Sequence, residues 1–181
     1  MIDQTIFRIQ IAASRTLLTF DDLAKINPGG FPVEVVSEGG WLKYQFIGVP
    51  LYADAQRIFR EANTKGSFIV SYRNGIKQNL PEMISNSREL EKRIQVEGKN
   101  GLVEETFYHL EIAVSKTAMK ATEIAKLYNG PEPVLLIMEQ GLYKYHLNAG
   151  YSSDDARIFK LETGLTGANV VAYKNARLTN K

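Results

Sequence analysis

The chain states one pattern twice. Phe7-Arg8-Ile9-Gln10-Ile11-Ala12-Ala13-Ser14-Arg15 returns as Phe107-Tyr108-His109-Leu110-Glu111-Ile112-Ala113-Val114-Ser115-Lys116, with Ile11 falling on Ile112. The same shift of 101 residues lays Leu23-Ala24-Lys25 on Ile124-Ala125-Lys126, Lys43-Tyr44 on Lys144-Tyr145, and residues 69–74 on 170–175. Four blocks in one register mark a tandem repeat of a single structural unit.

Within the first copy, Phe7, Ile9 and Ile11 alternate with Arg8, Gln10 and Ala12, the period of a half-buried strand. Thr19 with Asp22 three residues on reads as a helix N-cap, and Asn27-Pro28-Gly29-Gly30 stops that helix. Residues 31–37 and 41–48 form a hairpin about Glu38-Gly39-Gly40. Ala55, Ile58, Phe59 and Ala62 make the apolar stripe of a second helix over 52–63, and 67–72 is a last strand. The second copy repeats the order, with strands at 107–114, 134–138, 142–148 and 169–173, a helix over 120–128, and another capped by Ser153. The fold class expected is α+β: two tandem β-α-β-β-α-β (ferredoxin-like) domains, 1–80 and 105–181, each a four-stranded antiparallel sheet with both helices on one face. The linker 81–104 reads as a helix from Pro81 to Glu97, stopped by Gly98, with Met83, Ile84, Leu90 and Ile94 as a partial stripe, then a loop at Lys99-Asn100-Gly101.

Charge and composition narrow the function. With 22 basic and 20 acidic side chains, and no third of the chain strongly basic, a phosphate-backbone footprint is not expected. The chain has no cysteine, so thiol chemistry and Cys-based zinc sites are excluded. No apolar run approaches the roughly 20 residues of a membrane span, and Met1-Ile2-Asp3-Gln4 does not open a signal peptide. The chain is therefore expected to be cytoplasmic or a processed piece of an exported protein.

The strand 7–14, the hairpin ending in Gly39-Gly40-Trp41, the segment Phe46-Ile47-Gly48-Val49-Pro50 and the closing Phe68-Ile69-Val70 together resemble a SPOR domain, the sporulation-related repeat. The resemblance covers residues 6–77 well and 107–178 more weakly. It implies a non-catalytic module that binds peptidoglycan, favouring glycan strands stripped of stem peptides, in the periplasm or cell envelope and near sites of cell division. In that family the first-strand Gln, the small-polar turn after it and an aromatic on the last strand line the glycan groove, which by position are Gln10, Ala13-Ser14 and Phe68. A glycan offers hydroxyls, acetamido groups and apolar sugar faces. The residues expected to meet it on an open sheet face are Arg8, Gln10, Ser14, Arg15, Lys43, Gln45, Phe68 and Tyr72.

The second copy departs from that pattern: Glu111 stands for Gln10, Asn169 for Phe68 and Ala149 for Gly48, so binding is assigned to the first copy. His109 and His146 lie on one face of its strands. With no third ligand at a suitable spacing they read as a surface pair, and no metal or cofactor is expected. Ser14, Ser115 and the scattered acids form no nucleophile–base pattern, so the chain reads as a non-enzyme. Two other readings share the element order. One is a protein-interaction scaffold using the open faces or the inter-repeat cleft. The other is an RNA-recognition-like module, disfavoured because Tyr44 and Phe46 point inward.

Overall fold

The computed structural model describes residues 5–98, 103 and 105–179; the loop expected at 99–101 lies outside them. The elements run β1 (Thr5–Ser14), α1 (Phe20–Ile26), β2 (Val33–Glu38), β3 (Trp41–Phe46), α2 (Tyr52–Ala62), β4 (Phe68–Arg73), β5 (Ile76–Lys77), α3 (Leu80–Glu97), β6 (Thr106–Ser115), α4 (Ala121–Leu127), β7 (Leu135–Glu139), β8 (Leu142–Asn148), α5 (Ser153–Glu162), β9 (Asn169–Lys174) and β10 (Arg177–Leu178). Every strand and helix read from periodicity is present. The two-residue strands β5 and β10, which fold back on β4 and β9, are additional. The last helix is capped one residue earlier than expected: Ser152 accepts from the Asp155 N–H at 3.0 Å.

The repeat is legible in the backbone. β1 and β6 each carry an irregularity at the same point, between Gln10 and Ala12 and between Glu111 and Ala113. Phe7 exchanges two backbone hydrogen bonds with Val49, and Tyr108 likewise bonds Ala149 and Gly150. Tyr44 accepts from the Leu18 N–H at 2.7 Å and Tyr145 from Met119 at 2.6 Å, each pinning the segment after its first strand.

The expectation of two separate four-stranded sheets is corrected. All strands belong to one antiparallel ten-stranded sheet of order β10-β9-β6-β8-β7-β2-β3-β1-β4-β5. The seam is β2 against β7, where Val33, Glu34 and Val35 face Met138, Ile137 and Leu136. The repeat shift of 101 carries Val35 onto Leu136, its own partner across the seam. Equivalent edges therefore meet about a local two-fold, as in an isologous dimer interface within one chain. An unpaired edge strand leaves a row of open backbone groups, and each half closes that of the other.

The cores follow the same join. On the helix-bearing face, Phe7, Ile9, Tyr44 and Phe46 are covered by Ala55, Ile58 and Ala62 of α2, with Phe31 stacked on Phe46 at 4.8 Å. Ile137, Met138, Tyr173 and Ala176 of the second half belong to this same cluster. A smaller cluster around Leu110, Leu147 and Ala156 serves the second half alone. Across the join, Phe20 packs on Tyr143 at 4.8 Å. The β9–β10 hairpin also reaches the first half: Arg177 lies 3.7 Å over the Phe31 ring and pairs with Glu61 at 3.0 Å, and Arg57 donates to Asn175 at 3.0 Å.

The linker helix α3 is docked. Leu51, at the N-cap of α2, makes no side-chain cap, and α3 supplies one instead. Ser87 Oγ accepts from the Tyr52 N–H at 2.9 Å and Glu91 Oε1 from the Ala53 N–H at 3.2 Å, satisfying two of the donors a helix start leaves open. Met83 is buried beneath them.

Candidate functional site

The helix-free face of the sheet carries the polar residues singled out in the sequence. Cross-strand register puts Gln10 opposite both Gln45 and Phe68, Arg8 opposite Val70, and Lys43 opposite Ala13. One face thus holds Arg8, Gln10, Lys43, Gln45, Phe68 and Tyr72, as periodicity indicated. Contrary to expectation, much of it is not open.

At its inner end the residues bind one another. Gln45 is fully buried, 0% exposed, and Gln10 is 9% exposed. The Gln45 Nε2 donates to Tyr72 Oη at 2.8 Å and to Gln10 Oε1 at 3.3 Å. Arg8 crosses β3 to pair with Glu34 at 2.8 Å and lies 5.7 Å from the Tyr72 ring centre. Gly48 makes this possible: a side chain there would strike Ile6 at 2.0 Å and crowd Arg8.

The second half places different chemistry at the same positions. His109 stands for Arg8, Glu111 for Gln10, His146 for Gln45 and Tyr173 for Tyr72. The histidines are not the surface pair expected: they are 5% and 0% exposed. Their Nδ1 atoms are 3.3 Å apart, His146 Nε2 is 3.4 Å from Glu111, and the Tyr173 ring lies against both imidazoles. Burial first, then His146 and Arg8, lowers the His109 pKa from 6.5 to about 3. The His146 imidazole, whose Nε2 lies 3.4 Å away in a contact too loose for a well-formed hydrogen bond, holds the Glu111 carboxyl below its usual range despite partial burial. Burial, with Glu139, Glu111 and Glu34 nearby, pushes the Tyr173 phenol up. Alternating polarity cannot distinguish a solvated face from one whose polar groups satisfy each other, which is why the sequence missed this layer.

The outer end of the face is open. Phe68 is 49% and Trp41 41% exposed, and both side chains project on the Gln10 side of the sheet. Two strand spacings and four residues of strand rise separate them, roughly 16 Å. Arg15 stacks 4.2 Å over the Trp41 ring and donates to Gly40 O at 3.2 Å. Lys43, partly buried, pairs with Glu38, whose carboxyl that contact holds below its usual pKa. Ser14 is spent locally, its Oγ accepting from the Thr16 N–H at 3.2 Å. Trp41 was not among the residues expected to meet a ligand; the Gly39-Gly40 turn before it was the signal that its side chain sits at an exposed hairpin tip. In the second half Leu142 and Asn169 occupy the two aromatic positions.

On the opposite face, a cleft of about 310 Å³ lies along the seam, lined by Phe20, Leu23, Phe31, Val33 and Met138 with Gly141 at its mouth. Asn27 there is occupied by the Phe31 backbone, to which it donates at 2.8 Å and from which it accepts at 3.2 Å. Among the described residues, no three His, Cys, Asp or Glu side chains converge as metal ligands would, and no helix is long and apolar enough to cross a membrane. No family model matches the chain, and neither a curated protein nor a solved structure matches it.

Proposed function

We propose that this chain is a non-catalytic module that binds peptidoglycan glycan strands in the bacterial envelope, through the open end of the helix-free face in its first half. On this reading it is two SPOR-like units joined edge to edge, the second no longer a binder. The strand order β4-β1-β3-β2, repeated as β9-β6-β8-β7, supports the unit assignment. The observation that carries the functional reading is the pair of exposed rings, Phe68 and Trp41, on the face that also bears Gln10 and Lys43. Flat apolar rings next to guanidinium and ammonium donors suit a polymer whose sugars alternate apolar faces with hydroxyl and acetamido groups. The residues assigned to contact are Phe68, Trp41, Arg15 and Lys43. Gln10, Gln45, Tyr72 and Arg8 hold the platform from beneath.

The test is retention on isolated cell-wall sacculi, untreated and amidase-treated, of the wild type, Phe68→Ala and Trp41→Ala. Retention that rises after amidase treatment and falls at least tenfold in each variant supports the proposal. Equal retention of all three proteins, or none, overturns it. The seam cleft supports a second reading, a scaffold for a protein partner; apolar substitution at Phe20 and Leu23 would then matter while Phe68 would not.

A further inference from the structure

We propose that the buried pair His109–His146 is an acid-sensitive latch that keeps the β9–β10 hairpin docked on the first half, and that a second proton on the pair releases it. The inference stands apart from glycan binding and rests on proton counting in the closed layer.

An Nδ1–Nδ1 contact of 3.3 Å holds only if one nitrogen carries hydrogen and the other a lone pair. His146 turns Nε2 toward the Glu111 carboxylate, so its proton belongs there, its Nδ1 accepts, and His109 donates. Protonating His146 removes the acceptor and sets two N–H groups face to face.

The surrounding charges decide how many protons the layer can absorb. Against the pair stand Arg8 from β1, Glu111 from β6 and Tyr173 from β9; behind these lie Glu34 from β2 and Glu139 from β7 near Tyr173, Lys144 from β8 near Glu111, and Tyr72 from β4 beside Arg8. Glu34 is committed to Arg8 at 2.8 Å and Glu139 to Lys144 at 2.5 Å. Only Glu111 remains to meet an imidazolium. One proton on the pair has a counter-charge, whereas a second meets a buried site beside the Arg8 guanidinium and must find water.

Water reaches the pair by the movement of what covers it. Tyr173 lies on both rings, and it opens the hairpin whose tip is held to the first half by Arg177, over the buried Phe31 ring, and by exposed polar contacts of Arg177 with Glu61 and of Asn175 with Arg57. The polar contacts at the tip are exposed and weak, so the hairpin is held down mainly by the buried Tyr173 and Ala176, the packing that hydration of a doubly protonated pair has to displace. In the first half the same positions hold Arg8 and Gln45 in place of the two imidazoles, so the latch belongs to the second half alone.

The experiment follows the histidine side-chain resonances and the amide exchange of residues 169–178 in the whole chain between pH 7.5 and 3.5, beside His109→Gln/His146→Gln. Hairpin protection, corrected for the intrinsic exchange rate, should fall about tenfold per pH unit below the ordinary imidazole pKa of 6.5, where the opened hairpin binds a proton that the closed one does not. The double variant should keep flat protection over the same range. Hairpin protection that stays constant in the wild type while both histidines titrate overturns the latch, as does an equal fall in the double variant. Should that variant not fold, the wild type decides alone: its hairpin protection must fall with that slope between about pH 6.5 and 3.5, and protection that stays flat over that range refutes the proposal.

Discussion

The two halves share a backbone and differ in what they bury. The strand irregularity and the tyrosine pinning the segment after the first strand recur at equivalent residues, and the backbone bonds between Phe7 and Val49 return between Tyr108 and the adjacent Ala149 and Gly150. Yet the first half closes its helix-free face with amides and an Arg8–Glu34 pair, the second with imidazoles and a carboxylate. The first contributes most of the large core and carries α3 on α2; the second leaves Ile158 and Leu161 of α5 exposed. Duplication has preserved the hydrogen-bond frame and left the side chains on the inner layer free to diverge. Stability should therefore be shared between the halves, while pH sensitivity and ligand contact should not.

The sharpest way to break that comparison is to damage each core separately. Phe46→Ala empties a fully buried site stacked on Phe31 and should cost about 3–5 kcal/mol. Leu147→Ala in the small cluster should cost about 2–5 kcal/mol. Trp41, the single tryptophan, reports from the first half. Because the sheet and the larger core run through the seam, Leu147→Ala should lower the urea midpoint of Trp41 fluorescence together with that of far-UV circular dichroism. A Trp41 midpoint that stays put would mean that the halves unfold independently and the seam does not couple them.

Acid offers the next contrast. His109 has a folded pKa of about 3 against an ordinary 6.5, so the unfolded chain binds more protons between those values. The stability this group contributes is complete above 6.5 and is lost as pH falls toward 3, by about 1.4 kcal/mol per pH unit. That amounts to roughly 3 kcal/mol at about pH 4. Glu111, lowered as well, adds a loss of the same sign below the carboxylate range. Urea midpoints across pH should fall steeply for the wild type and far less for His109→Gln/His146→Gln; parallel slopes would show that the imidazoles are not the sensitive groups.

Much of this architecture was legible because it is local. Thr19 with Asp22, the stripe of Ala55, Ile58 and Ala62, and the alternation of Phe7, Ile9 and Ile11 each impose their element over a few residues. The seam was not legible, since a repeat says that two units exist and nothing of which edges meet. Val33 to Val35 read as an ordinary strand whether they face water or Leu136. The candidate site failed in part for a related reason. Gln45 and His146 look like outward polar residues in the alternating pattern, and only the coiling of the sheet, with Tyr72 and Tyr173 over them, reveals that they are inside. Phe68 was placed by resemblance and is exposed; Trp41, its counterpart, was undervalued.

Gly48 and Ala149 allow a smaller, reciprocal test. Gly48 has no left-handed backbone requirement, so its need is for space: an added Cβ would lie 2.0 Å from Ile6 Cγ2. Gly48→Ala should cost about 1–3 kcal/mol by forcing Ile6, and with it Arg8, off their positions. Ala149→Gly should cost about 1–2 kcal/mol, from the backbone entropy and the loss of a methyl buried in the small cluster. Adding Ile6→Ala to Gly48→Ala should recover part of the loss, measured by urea denaturation. If Gly48→Ala is silent, the first half is no more tightly closed there than the second.

The smallest expected difference lies at the helix starts. At α1 the box is complete: Thr19 Oγ1 accepts from the Asp22 N–H at 3.2 Å and Asp22 accepts from the Thr19 N–H at 3.3 Å. At α4 only half survives, with Glu123 accepting from the Lys120 N–H at 2.7 Å, because an ammonium has no lone pair to return. The backbone angles of Lys120 match those of Thr19, so a threonine fits without strain. Lys120→Thr should therefore stabilise the chain. The Glu123 N–H already has the Lys120 carbonyl at 2.9 Å, so the gain should be about 0.5 kcal/mol, less than the ~1 kcal/mol lost in Thr19→Ala. A thermal midpoint that rises by a degree or two in the first variant and falls by more in the second would show that the halves still obey the same capping rule where they have drifted. No change in Lys120→Thr would mean that the carbonyl alone is an adequate cap, and that the second half lost its threonine without cost.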